Sequence, residues 1–106
     1  MLKVEIVMDE EKILAEGKYS LEDIYFTIDK AYAQKNLKKT DKGIYVGSGK
    51  DFCSFWNIIL GLKKQDWFMS NVKKWLWYNS DDSDDENDFA IDDLLMHYAK
   101  RISVGA

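Results

Sequence analysis

The chain has no proline, one cysteine, one histidine and six glycines in 106 residues. Each scarcity excludes something. A lone Cys53 rules out an intrachain disulfide framework and any metal site or cofactor attachment built on several cysteines. One histidine, His97, leaves little for a His-rich metal site or an imidazole-based triad. Arg101 is the sole arginine beside 14 lysines. Specific phosphate or guanine recognition favours the planar guanidinium fork, so this bias weakens the case for it. No apolar run approaches the ~20 residues of a membrane-spanning helix. The N-terminus alternates polar and apolar residues where a signal peptide would place a basic and then an apolar region. Together these features predict a cytoplasmic protein without a bound cofactor or metal.

What is present is apolar and aromatic. Hydrophobic residues make up 46% of the chain and aromatics 14%, including four Trp, enough for the core of one domain spanning residues 1–106. The formal net charge of −4 averages two unlike regions. Residues 30–79 hold ten lysines against three aspartates, or +7, whereas residues 80–93 hold eight acids and no base. Segregation of this kind points to a macromolecular partner.

Periodicity supplies the elements. Leu2, Val4, Ile6 and Met8 alternate as in a half-buried strand, and Ile13 and Ala15 continue that alternation after a turn at Asp9-Glu10-Glu11. Residues 2–17 thus read as a β-hairpin. Ser20 opens a helix with the stripe Leu21, Ile24, Tyr25, Ile28 and Tyr32, stopped near Asn36. Residues 37–49 read as a second hairpin around Thr40-Asp41-Lys42-Gly43. Asp51 caps a helix with the stripe Phe52, Phe55, Trp56, Ile59 and Leu60. A short helix near 66–71 runs into a strand near 72–78. Residues 79–87 read as an acidic, solvated loop. Asp88 then caps a last helix carrying Ile91, Leu94, Leu95, Tyr98 and Ile102. The resulting order, ββαββα(α)βα, predicts an α+β fold with a mainly antiparallel sheet and helices packed on one face. An exposed edge at Leu2–Met8 would allow strand pairing between two copies.

Chemical motifs are thin. Cys53 lies beside an apolar stripe and reads as a small buried hydrophobe. His97 flanks the stripe of the last helix and reads as a boundary residue, so catalysis is not expected. Gly47-Ser48-Gly49-Lys50 sits between strand and helix as a phosphate loop would. The Walker spacing fails at Ile44, and Asp51 replaces the Ser or Thr that would ligate magnesium. Asp82-x-Asp84-x-Glu86 suggests a calcium loop, but Asn87 stands where the turn glycine belongs, and Asp93 where a bidentate Glu belongs. The acidic run is also dense enough to imitate a nucleic-acid backbone toward a basic partner.

Residues 52–78 are the most unusual segment. They hold eight of the fifteen aromatics, all four Trp among them, with Lys63, Lys64, Lys73 and Lys74 interleaved. Four indoles exceed what so small a core readily absorbs. Trp56 and Trp75 are expected inside, and at least one of Trp67 and Trp77 partly exposed. The sequence therefore predicts a non-catalytic interaction domain that binds another protein. Its expected contacts are Trp67, Trp77, Lys73, Lys74 and the acids Asp81, Asp82, Asp84 and Asp85. The alternative is direct nucleic-acid binding through the Lys- and Trp-rich middle.

Overall fold

A computed structural model describes residues 1–80 and 90–98. Its centre is β1, Leu2–Met8, whose burial alternates strictly along its length. Leu2, Val4, Ile6 and Met8 face the core, which is how a period-two pattern sits in a sheet covered on one side.

The predicted partner strand at Lys12–Gly17 is instead a helix, α1, Glu10–Glu16. Local chemistry decides this. The Asp9 carboxylate accepts the Lys12 N–H at 3.2 Å, Glu10 and Glu11 sit in the first turn, and Gly17 closes the helix with φ +63°. Cap, dipole match and left-handed terminus all agree. Only Ile13 of this helix is buried, so the Ile13/Ala15 alternation carried no strand.

Helix α2, Leu21–Gln34, follows with Ser20 as its cap and Ile24, Ile28 and Tyr32 buried. Asn36 takes φ +60° just beyond its end, as expected of an Asn stop. Strands β2, Lys38–Asp41, and β3, Ile44–Gly47, form the second hairpin. Its turn glycine, Gly43, has φ +75° and lies against the backbone of Ile6, whose N–H donates to the Gly43 carbonyl at 2.8 Å.

A single 3-10 turn, Gly49–Asp51, leads into α3, Phe52–Leu62. Helix α4, Asp66–Met69, then runs into β4, Val72–Asn79, close to the predicted helix-to-strand transition. The last described strand is β5, Ala90–Asp93. The final helix was expected to include Ile91, yet residues 90–93 pair with β4. The helix occupies residues 94–98, capped by Asp93, which accepts the Met96 N–H at 2.9 Å. Asp88, Ile102 and the acidic run at 81–87 lie outside the described residues. Of the predicted loop 79–87, Asn79 belongs to β4 and Ser80 is buried.

The fold is α+β, with five antiparallel strands in the order β2-β3-β1-β4-β5. β1 is therefore central, and the proposed free edge at Leu2–Met8 does not exist; among the described residues the edges are β2 and β5. One core lies between the sheet and the helices and is rich in aromatics. Tyr32 stacks on Tyr45 with centroids 4.0 Å apart, and Phe68 meets Trp75 edge-on at 4.8 Å. No described helix is long and apolar enough to cross a membrane.

Candidate interaction surface

Helix α3 is apolar on nearly every side, and only one side fits the core. Phe55, Ile58, Ile59 and Leu62 are buried. The predicted stripe is thus rotated: Ile58 and Leu62 take the inward places assigned to Phe52 and Leu60. Phe52 is 45% exposed and Leu60 41%. With half-buried Trp56 between them, they form an i, i+4, i+8 row along the outer side of the helix. Cys53, expected to be buried, is exposed beside this row.

The row borders a hollow of about 650 Å³ lined by Trp56, Asp92, Asp93, Leu94, Met96, His97 and Tyr98. Trp56 and Tyr98 are the large aromatic side chains of its lining. Phe52 and Trp56 rings are 6.3 Å apart, and each leans on Trp77, at 6.2 and 5.7 Å. Met96, also in the lining, is 65% exposed. The Lys63 ammonium lies 4.9 Å from the Tyr98 ring centroid, and Asp92 and Asp93 add carboxylates. The Trp56 Nε1 is buried without a hydrogen-bond partner among the described residues. The hollow is thus lined by large apolar side chains together with two carboxylates.

The residues singled out from sequence are dispersed. Trp77 is 2% exposed; β4 turns it into the core beside Trp75, so it is a wall beneath the surface and no contact residue. Trp56, expected inside, is half-buried. Of the Trp67/Trp77 pair, Trp67 is the partly exposed one. It borders a separate hollow with Lys18, Tyr19 and Thr27. Lys73 and Lys74 are both exposed on β4. Lys73 is the residue skipped where the β1–β4 register shifts, and Lys74 pairs with Glu5 at 3.3 Å. Asp81, Asp82, Asp84 and Asp85 lie outside the described residues. The interleaving of Trp and Lys in sequence therefore does not become one surface.

Other chemistry is occupied by the protein's own groups. The Ser48 N–H, which a phosphate would need, donates to the Asp51 carboxylate at 2.9 Å. No hydrogen bond joins Cys53 to His97, and both are exposed. No cluster of metal-ligating side chains occurs among the described residues. At the far end, Glu10 holds Lys42 at 3.0 Å and accepts from the Tyr25 hydroxyl at 3.3 Å. The Lys42 hydrogen bond lowers the Glu10 pKa and raises that of Lys42. Asp29 accepts from both Lys39, at 3.0 Å, and the Tyr45 hydroxyl. Each of these carboxylates already accepts two hydrogen bonds from neighbouring side chains.

Phe52, Leu60 and Met96 were missed as surface residues. The signal in the sequence was the near-uniform apolarity of residues 52–62, which leaves an apolar face over after the core is filled. No family model, curated protein or solved structure matches the chain.

Proposed function

We propose that this is a non-catalytic, cytoplasmic interaction domain that binds a partner protein through the outer face of α3 and the adjoining hollow. The observation that carries the reading is the row Phe52–Trp56–Leu60, whose Trp56 lines the same hollow as the exposed Met96. Large exposed apolar groups gathered in one place mark association surfaces in small soluble domains. Half-buried indoles and phenyl rings are effective anchors because they bury much area at little entropic loss. The partner that fits inserts an apolar side chain into the hollow and brings a lysine or arginine to Asp92 and Asp93. The acidic run at 81–88 extends the same sign of charge and would speed encounter with a basic partner.

The test is affinity capture from the native host with wild-type protein, Phe52→Asp, Met96→Asp and Lys73→Glu/Lys74→Glu, at low and high salt. Loss of the captured protein in the first two variants only is the expected result. Identical capture by all variants overturns the proposal. Nuclease-sensitive capture lost in the lysine variant replaces it with the nucleic-acid reading.

A further inference from the structure

The two edge strands differ in kind. β2 is guarded: it carries Lys38 and Lys39, Lys39 is tied to Asp29 at 3.0 Å, and Thr40 is skipped where the register with β3 shifts. Lysines and an irregular register are devices that keep an edge from pairing. β5 has neither. It pairs with β4 from Ala90 to Asp93 without a shift. All its residues are exposed, and no second strand lies beside it among the described residues. Every second residue of a regular edge strand turns its N–H and C=O outward.

Register also places one carboxylate. Asp92 lies opposite Trp77, and directly opposed residues point the same way. Trp77 is buried in the core, so Asp92 is on the sheet face that carries the helices. There it lines the hollow with Trp56 of α3 and with Met96 and Tyr98 beyond β5. Asp93 accepts the Met96 N–H at 2.9 Å. Asp92 is exposed and holds no hydrogen bond or ion pair among the described residues.

We propose that the partner enters as an extended basic segment that adds to β5 as a further antiparallel strand. This rests on the α3 surface proposed above and says how a partner is held there. The main chain of the segment pairs with the outward groups of β5. A lysine or arginine opposite Asp92 points to the hollow side and meets that carboxylate. The residue two places before it faces the same way. In an antiparallel strand that residue falls beside Leu94, and an apolar side chain there enters the hollow against Trp56 and Met96. The recognised pattern is thus apolar-x-basic in an extended chain. Strand addition of this kind takes affinity from the main chain and choice of sequence from alternate side chains. Charge sets the class of partner. β5 carries Asp92 and Asp93 and no cation, so it repels an acidic strand or a nucleic-acid backbone. A helical partner would leave the outward groups of β5 unpaired.

NMR titration of the whole chain with capped synthetic peptides tests the proposal. The probe is the peptide Thr-Leu-Thr-Lys-Thr-Thr. One control has Glu in place of Lys, and two others carry N-methyl groups on one or the other set of alternate amides. The probe is expected to shift the Trp56 indole resonance and to slow hydrogen exchange at alternate amides within residues 90–93. Only one of the two N-methyl sets abolishes binding, because only one set faces β5. Asp92→Lys alters an exposed side chain and reverses the preference between the Lys and Glu peptides, by roughly tenfold each way. No binding of the probe, equal effects of the two N-methyl sets, or an unchanged preference in Asp92→Lys overturns the proposal. A shift at Trp56 without protection at residues 90–93 overturns this mode of binding and leaves the α3 surface standing. Capture from the host that ignores Phe52→Asp and Met96→Asp overturns that surface itself. The N-methyl pair decides the matter even if Asp92→Lys disturbs the fold.

Discussion

Gly43 shows how one missing side chain holds two segments together. A Cβ there would lie 2.1 Å from the Ile6 carbonyl oxygen, and its φ of +75° suits only glycine without strain. Gly43→Ala is expected to destabilise the protein by about 2 kcal/mol or more, read as a lower midpoint in urea denaturation. The buried phenols make a second case. Burial pushes the Tyr32 and Tyr45 pKa values far above the usual tyrosine range, and the bond to Asp29 raises Tyr45 further. A folded-state pKa above the unfolded one means the neutral form is favoured by folding. Stability from these groups is whole below about pH 10 and falls as pH rises beyond it. In an alkaline titration followed by tyrosinate absorbance, these two of the six tyrosines are expected to ionise only as the chain unfolds. Smooth titration of all six without loss of near-ultraviolet circular dichroism would contradict the packing.

At the scale of the element, caps outweighed alternation. Residues 9–17 alternate weakly enough to suggest a strand, yet Asp9, Glu10, Glu11 and Gly17 each favour a helix on their own chemistry. Asp9→Ala is expected to cost about 1 kcal/mol and to raise hydrogen exchange at the amides of residues 10–12, while Asp9→Asn retains most of the stability. Helix α3 gives the complementary lesson. Its residues are apolar nearly all round, so periodicity could not say which side faces in. The neighbouring aromatics settled it, with Phe55 packed at 5.2 Å from Trp77 and 6.1 Å from Tyr32. β5 is the third case. A four-residue segment with two aspartates has little strand propensity, and it is a strand because β4 offers it an edge.

For the molecule as a whole, β1 is the joint. It pairs with β3 on one side and β4 on the other, so residues 2–8 bind residues 72–79 far along the chain. The N-terminal ammonium adds a hydrogen bond to the Ser80 carbonyl at 2.8 Å. Removing residues 1–8 would take out the strand between two halves of the sheet and the core side chains of Leu2, Val4, Ile6 and Met8. Such a truncation is expected to lose its cooperative thermal transition by circular dichroism, and to recover it when the missing segment is added back as a peptide. A truncated chain that unfolds cooperatively by itself would show that the sheet is not organised around β1.

The sequence by itself determined the fold class, the boundaries of α2, the second hairpin and the passage from α4 into β4. Those rest on local information: period, caps and turn residues act within a few positions of one another. Only the tertiary structure decided that β1 is central, that Trp77 is buried and that α3 keeps an apolar row outside. Each of these depends on which distant segment lies alongside, and register across a sheet is set by core packing between residues that no local pattern connects.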